Sequence, residues 1–337
     1  MATIYDVSLL AGVSLATVSR VMNNTGRVSD KTRKKVEDAM SSLGYRPNMV
    51  AQSLASNRSN SVGILVSELS GPYFGQMMSG IESEVRAAGK HVIITTGHSQ
   101  EDKEIEGIEF LVSRKCDALI LHVEAVSDDY LIALSKQSIP IYLVGRLVPE
   151  LAEQCISLDN VLGGYLATKT LLEHGHRDIA YIAGPLFKPD ARNRLIGHQQ
   201  ALAEFGIRFE DTLFYEGNFN ESGGEQGFEY FVASKRPFTA IACANDETAA
   251  GAMELAREVN YQLPQDLSII GFDNIIFAKY LYPRLTTIEN PVMQMSQMAA
   301  RLALKQVFNE KKHQIQHIFE PKVIMRDSLL QQPNAKN

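Results

Sequence analysis

Seven short apolar runs, separated by amphipathic stretches, dominate the chain from residue 61 onward. The runs are SVGILVS, HVIITTG, ALILHV, IPIYLVG, IAYIAG, TAIACAN and LSIIGFD. Continuous β-rich runs bounded by Gly and Pro predict strands that are buried on both faces, and the amphipathic stretches between them predict crossover helices. The body of the chain is therefore predicted to have a doubly wound α/β fold.

The number of these runs exceeds what one sheet comfortably holds, and the pattern restarts near Asp159. Two α/β subdomains are therefore expected. Ligands of parallel sheets bind beyond the carboxyl ends of the strands, so the cleft between the two subdomains is the predicted ligand site.

The charges are divided unevenly along the chain, although its net charge is only −6. The first 58 residues carry eight Lys or Arg and four Asp or Glu, a net of +4. The remaining residues carry 25 basic and 35 acidic side chains, a net of −10. A basic head on an acidic body indicates that only the head meets a polyanion.

The basic head has the pattern of a helix-turn-helix followed by a third helix. The first helix is expected between Thr3, as N-cap, and Gly12, and the second begins after Ser14. The third begins after Ser29 and ends near Gly44. The inward-facing residues of the first helix are predicted to be Ile4, Val7, Leu10 and Ala11.

The segment NMVAQSLASNRSNS predicts one more short helix, from Asn48 to about Ala55, followed by a polar linker. A helix of two turns cannot bury Met49, Val50 and Leu54 by itself. The same helix of a second subunit is its natural partner, so we expect a homodimer.

Several function classes find no support in the sequence. The motifs GxGxxG, GxxxxGK[ST] and GxSxG are absent, so neither an enzymatic activity nor a cofactor is predicted. Cys116, Cys155 and Cys243 lie too far apart to frame a zinc site or a disulfide set, and no metal site is expected. The chain lacks a long uncharged apolar run and a signal-peptide pattern, so we expect a cytoplasmic protein with no membrane partner.

The chain resembles the LacI/GalR family of bacterial transcription regulators along nearly its whole length. The resemblance is carried by TIYDVSLLAGVSLATVSRVMN, by VSDKTRKKVEDAMSSLGYRPNMVAQSLAS and by the body that follows. LDNVLGGYLAT, ESGGEQ and RLTTI are most similar to the galactose repressor and isorepressor branch.

This resemblance implies a helix-turn-helix DNA-binding domain at 1–47, a hinge helix and linker at 48–60, and a periplasmic-binding-protein-like core at 61–337. The implied N-subdomain of the core takes about 61–158 and 290–320, and the C-subdomain takes about 159–289 and 321–330.

The resemblance also places the second helix of the head in the major groove of operator DNA. Leu15 and Ala16 would then pack on thymine methyl groups, and Arg20 would donate two hydrogen bonds to a guanine. Leu54 would act as a minor-groove wedge that bends the duplex. The implied contacts to the DNA backbone are Tyr5, Thr17, Ser19, Ser29, Thr32 and Asn48.

Polar and aromatic side chains at the predicted strand ends suit a small sugar. Carboxylates and Arg make paired hydrogen bonds to adjacent hydroxyls, and an unpaired group is costly, so such a set discriminates between epimers. The resemblance favours Arg194, Asn245 and Asp273 most. The other candidate effector-binding residues are Ser67, Tyr73, Phe74, Asp159, Asn160, Asp190 and Asp246.

The predicted function is that of a dimeric repressor that binds a pseudo-palindromic operator and is released by galactose or a related sugar. Two alternatives are open at this point. In one, the ligand is a co-repressor that tightens DNA binding. In the other, the chain is a sugar-binding protein that does not bind DNA.

Overall fold

The computed structural model describes residues 2–22, 26–46, 58–309 and 314–332. The chain divides into two compact units, residues 1–60 and 61–337. The predicted hinge helix lies outside the described residues.

The first unit contains three helices in its described part. Thr3 caps the first helix by accepting a hydrogen bond from the Asp6 amide, and Ser29 caps the third in the same way from the Thr32 amide. Gly12 ends the first helix with φ of 65°, in the left-handed region that favours glycine. The three helices are α1 (Ile4–Ala11), α2 (Leu15–Met22) and α3 (Asp30–Ser42).

Six small apolar side chains form the core of this unit. Val7 and Ala11, four residues apart, define the inner face of α1. The prediction that Leu10 faces inward is wrong, because its side chain is 56% exposed and lies about 100° around the helix from Ala11. The buried residues of the core are Val7, Ala11, Val18, Val21, Val36 and Ala39.

The described part of the second unit contains two six-stranded sheets. Its strands are β1 (Ser61–Val66), β2 (His91–Thr96), β3 (Ala118–Leu121), β4 (Ile141–Val144), β5 (Cys155–Leu158), β6 (Ile179–Ala183), β7 (Phe214–Glu216), β8 (Ala240–Cys243), β9 (Ser268–Asp273), β10 (Thr286–Glu289), β11 (Ile318–Phe319) and β12 (Lys322–Ile324). The first sheet has the order β11-β5-β4-β3-β1-β2, and the second has β12-β10-β9-β8-β6-β7. Neighbouring strands are parallel, except that β12 is antiparallel to β10.

Helices cover these sheets. They are α4 (Pro72–Ala87), α5 (Glu101–Ser113), α6 (Asp128–Ser135), α7 (Asn160–Glu173), α8 (Pro189–Glu204), α9 (Glu221–Ser234), α10 (Asp246–Glu258) and α11 (Val292–Phe308). Because both faces of the inner strands are covered, every residue of β3 and β4 is buried, which explains why these strands are continuous apolar runs. The prediction of a doubly wound α/β core with two subdomains is confirmed.

The chain passes between the two sheets three times. It crosses between β5 and α7, between β10 and α11, and between β11 and β12. The first and third crossings are joined, because the Asp159 amide donates to the Phe319 carbonyl at 2.9 Å. We call the first sheet with α4, α5, α6 and α11 the first half of the core, and the second sheet with α7 to α10 the second half.

Two helix pairs of the second half approach so closely that only glycine fits between them. A Cβ on Gly164 of α7 would lie 2.0 Å from the Arg194 carbonyl oxygen of α8, and a Cβ on Gly197 would lie 2.0 Å from the Val161 carbonyl oxygen. Gly224 of α9 has the same relation to α10. These glycines fix the spacing of the helices and therefore the position of Arg194.

In the part of the chain that the structure describes, no single helix is long and apolar enough to cross a membrane. Helices α1 and α2 meet that test only when they are counted together, and the chain bends by 105° between them.

We predict that Gly164→Ala lowers the free energy of unfolding by about 1–3 kcal/mol, because the new methyl group forces α7 and α8 apart. Gly75→Ala is the matched control: it places the same methyl group inside α4, where a Cβ meets nothing within 4 Å. That control is expected to raise stability by roughly 0.5–1 kcal/mol. Urea unfolding followed by circular dichroism measures both changes, and an unchanged midpoint for Gly164→Ala would contradict the close packing.

Candidate functional site

The exposed face of α2 carries three of the side chains predicted to contact base edges. Leu15, Ala16 and Arg20 are exposed, whereas Val18 and Val21 on the opposite face are buried. At about 100° per residue the three exposed side chains fall within an arc of about 140°. One face of α2 therefore presents two apolar contacts and one guanidinium to a partner.

Three of the hydroxyl-bearing residues predicted to contact the DNA backbone, Thr17, Ser29 and Thr32, lie at the starts of helices. The Ser14 hydroxyl accepts a hydrogen bond from the Thr17 amide at 3.2 Å, and Ser29 has the same relation to Thr32. Helix N-termini with exposed amides and hydroxyls suit phosphate oxygens. Tyr5 is exposed and Ser19 is half-buried. Asn48 and Leu54 lie outside the described residues.

The second unit holds a cavity of about 570 Å³ between its two sheets. Its lining comes from the segments that directly follow β1, β2, β3, β6, β7, β8 and β9. These are the carboxyl ends of parallel strands, where ligands of doubly wound sheets bind. The cavity therefore lies where the position of the apolar runs predicts a ligand site.

The structure brings seven of the ten predicted effector residues to this cavity. They are Ser67, Tyr73, Phe74, Asp190, Arg194, Asn245 and Asp273. Ser67, Tyr73 and Phe74 come from the first half of the core. The other four come from the second half, so both walls of the cavity carry predicted residues.

Three of the predicted residues do not line the cavity. Asp159 is the exposed N-cap of α7, where it accepts a hydrogen bond from the Leu162 amide. Asn160 is buried behind Arg194 and accepts from its Nε at 2.9 Å. Asp246 accepts from the Thr287 hydroxyl and the Ile275 amide, so it ties α10 to the strand ends instead of facing a ligand.

Arg194 is the most constrained polar group of the cavity. Besides Asn160, its guanidinium donates to the Ala244 carbonyl at 2.6 Å and lies 3.5 Å from Oδ1 of Asp273. It is also stacked over the Phe272 ring, 3.7 Å from the ring centroid. A buried guanidinium with this many partners is held in one orientation.

Asp273, which lines the cavity, has a strained backbone conformation. Its φ is 101°, in the region that favours glycine, and Asn290 donates to its Oδ1 at 3.0 Å. Burial raises the pKa of Asp273 above its ordinary value, although the Arg194 charge opposes that rise. Strain of this kind is concentrated at binding sites.

A polar cluster on the first-half wall was not predicted from the sequence. Glu124 follows β3, and its carboxylate accepts a hydrogen bond from the Ser67 hydroxyl at 2.8 Å and another from Ser99. Lys188, just before α8, lies 2.9 Å from the same carboxylate. Burial raises the pKa of Glu124, but the His122 ring and the Lys188 ammonium more than offset that rise, and the pKa lies below its ordinary value.

His122 and Phe219 add ring surfaces to the lining, and neither was predicted from the sequence. The His122 ring lies 5.6 Å from the Phe74 ring, and burial lowers its pKa below the ordinary value. Phe219 lies 5.7 Å from the Arg194 guanidinium. The remaining lining residues missed were Glu68, Gly71, Pro72, Asn218, Asn220, Glu221, Glu247, Ile275 and Phe277.

A basic helix-turn-helix head, joined to a two-sheet core with a polar cleft, defines the class of ligand-responsive DNA-binding regulators. The model of bacterial regulatory proteins of the lacI family matches residues 3–48, and that of the periplasmic binding protein-like domain matches residues 168–329.

Full-length relatives share this organisation. The HTH-type transcriptional regulator GalR of Escherichia coli (strain K12) is 40% identical over 329 residues, which cover 98% of this chain and 96% of that protein. The lac repressor dimer bound to operator and the anti-inducer ONPF superposes with a TM-score of 0.86 at 29% identity, over 98% and 99% of the two chains. The CelR–cellobiose complex superposes with a TM-score of 0.71 at 28% identity, over 97% and 100%.

The chain therefore belongs to the LacI family of bacterial transcription regulators, as the sequence analysis predicted. It is a DNA-binding transcriptional repressor of the LacI/GalR type, and its relatives carry the names of regulators, not of enzymes. The alternative of a sugar-binding protein that does not bind DNA is excluded.

We predict that Arg20→Ala weakens operator binding by about 1–3 kcal/mol per half-site, because the guanine contact that the family resemblance assigns to Arg20 would lose two hydrogen bonds. The loss is expected on the operator and not on duplexes that carry another base at that position. Fluorescence anisotropy with matched duplexes measures the difference. An equal loss on all sequences would mean that Arg20 contacts a phosphate.

We predict that Glu247→Gln changes how stability depends on pH. Burial, with help from Glu221 and Asp273, raises the pKa of Glu247 from 4.5 to about 7 in the folded chain. The folded state therefore holds this proton more tightly than the unfolded state, so stability falls as the pH rises through that window. The variant should show a smaller difference between urea midpoints at pH 5 and pH 8, and an unchanged difference would contradict the assignment.

Proposed function

We propose that this repressor is a homodimer that binds a pseudo-palindromic operator and releases it when a small uncharged sugar fills the cavity of the core. Galactose or a close relative of it is the proposed inducer. The observation that carries the proposal is the arrangement of paired charges and ring surfaces at the carboxyl ends of both sheets.

The charges of the cavity favour an uncharged ligand rich in hydroxyl groups. Six carboxylates and two cations line it. Each of the two cations is already beside a carboxylate: Lys188 pairs with Glu124, and Arg194 lies beside Asp273. A phosphate or carboxylate on the ligand would meet repulsion without a free cation, whereas sugar hydroxyls can donate to the carboxylates.

The ring surfaces and the buried polar groups supply selectivity. Tyr73, Phe74 and Phe219 offer apolar surface for the C–H face of a pyranose ring. Asn245 and Asp273 are largely buried and held by partners within the chain: Asn245 by the Thr248 amide and the Phe219 carbonyl, and Asp273 by Asn290. Polar atoms fixed in this way favour the sugar whose hydroxyls match their positions over its epimers.

The names of the relatives support the choice of ligand. GalR relatives are 40% identical to this chain, and the structurally similar CelR was solved with cellobiose. The lac repressor was solved with the anti-inducer ONPF. A monosaccharide of the galactose type is therefore the first ligand to test.

A homodimer is supported by the lac repressor, which was solved as a dimer on its operator. In this chain the segment 276–282 exposes a row of apolar side chains: Tyr280 is 72% exposed, Tyr282 is 83% exposed, and Ile276 is also exposed. Clustered exposed apolar surface is typical of an interface. Two heads held together by such a core would read two half-sites, which explains a pseudo-palindromic operator.

The ligand acts by linkage between the cavity and the heads. An inducer releases DNA only to the extent that it binds the DNA-incompetent conformation more tightly. A co-repressor would favour the opposite conformation with the same fold. Binding to operator DNA also makes a cytoplasmic location the proposed one.

We predict that D-galactose weakens binding to the operator. The operator is first selected from a random DNA pool with the full chain and then titrated with protein at fixed salt, with and without the sugar. An apparent Kd raised about tenfold or more by saturating D-galactose corresponds to a typical coupling energy.

A sugar panel completes the test. D-Glucose, which differs from D-galactose at one carbon, is expected to act weakly, and galactose 6-phosphate is expected not to act. Tighter operator binding with D-galactose would overturn the inducer proposal in favour of a co-repressor. No response to any uncharged sugar would overturn the ligand class.

A further inference from the structure

A largely buried ion pair joins the two halves of the core across the cavity. The Nζ of Lys188, just before α8 in the second half, lies 2.9 Å from Oε2 of Glu124, which follows β3 in the first half. The two side chains are 13% and 8% exposed. Every other ion pair between described residues of 61–309 and 314–332 lies within one half.

Each partner of this pair is anchored on its own side. Ser67, after β1, and Ser99, after β2, both donate hydrogen bonds to the Glu124 carboxylate. The Lys188 ammonium lies 5.5 Å from the centroid of the Phe219 ring in the second half. Because Glu124 is held by two further loops of its half, a displacement of Lys188 acts on the whole first-half wall.

The pair is sensitive to the width of the cavity. A charge-assisted hydrogen bond needs about 3 Å between its atoms, and it weakens steeply beyond that. A buried charge that loses its partner without reaching water is costly, so the intermediate openings of the cavity are disfavoured. The ion pair therefore favours one distance between the two cavity walls over slightly larger distances.

We propose that Lys188 and Glu124 are positioning residues that set the closed width of the effector cavity. The proposal rests on the proposed function, in that it takes this cavity to be the effector site. The pair supplies part of the free energy of closure before the ligand arrives. A ligand that binds a largely pre-closed cavity spends less of its binding free energy on closure, so its apparent affinity is higher.

Charge reversal tests the proposal. The variants are E124K, K188E and the double variant E124K/K188E in the full chain. Each single variant places like charges against each other across the cavity, and the double variant restores an opposite pair with reversed polarity. A merely structural role for either side chain would not be rescued by the second change.

The width of the cavity is measured without any ligand. Spin labels are attached at E109C on α5 and E229C on α9, two exposed positions in opposite halves. The native Cys116, Cys155 and Cys243 are buried. Excess unlabelled chain ensures that each label pair lies in one protomer. Both single variants should lengthen the label distance, and the double variant should return it to the wild-type value.

Affinity for D-galactose is measured on the same proteins by calorimetry. Each single variant should bind about tenfold more weakly, and the double variant should recover most of that loss. E84Q is the control, because it removes the Glu84–Arg301 pair of 2.7 Å, which lies inside the first half. It should leave the label distance unchanged.

The outcomes separate this proposal from the proposed function. An unchanged label distance in the single variants, or a double variant as open as they are, overturns the role of the pair. If the distances respond as expected but no variant binds D-galactose, the proposed sugar is wrong and the role of the pair stands. If every protein binds D-galactose equally, the sugar stands and the role of the pair is overturned.

Discussion

The buried guanidinium of Arg194 is the interaction on which the second half of the core depends. A charge removed from water has to be paired and hydrogen-bonded, and this one reaches Asn160 on α7, Ala244 after β8 and Asp273 at the end of β9. A single side chain thus fixes one helix and two strand ends in relation to α8. That reach is possible only because glycines let the backbones of α7 and α8 nearly touch.

The general rule that ligands lie beyond the carboxyl ends of parallel strands was enough to place the cavity and to select seven of its lining residues from the sequence. Asn245 and Asp273 are the last residues of the runs TAIACAN and LSIIGFD, and the resemblance to the LacI/GalR family favoured these two residues and Arg194. The rule also selected Asp246, which lies at an equally plausible position but turns toward Thr287. Whether a strand-end side chain faces the cleft or its neighbouring strand depends on tertiary packing, which periodicity does not encode.

Glu124 and Lys188 were missed for a related reason. Glu124 follows the run ALILHV directly, so the same rule would have included it had the run been followed one residue further. No ion pair joins Lys188 to the described residues of the second half, so its role becomes visible only when the two sheets are placed together. Local sequence patterns do not predict contacts between segments that lie far apart in the chain. The error at Leu10 is smaller, because apolar residues also occupy exposed positions.

The three crossings between the halves have a mechanical consequence. Three connections, of which the first and third are hydrogen-bonded to each other, restrict twisting and sliding, so we expect the halves to move relative to each other mainly by rotation about one axis. Asn290, in the second crossing, donates a hydrogen bond to Asp273 at the cavity. The second crossing is therefore one hydrogen bond away from Asp273, the carboxylate proposed to contact the effector, so a displacement of that carboxylate acts on the crossing directly.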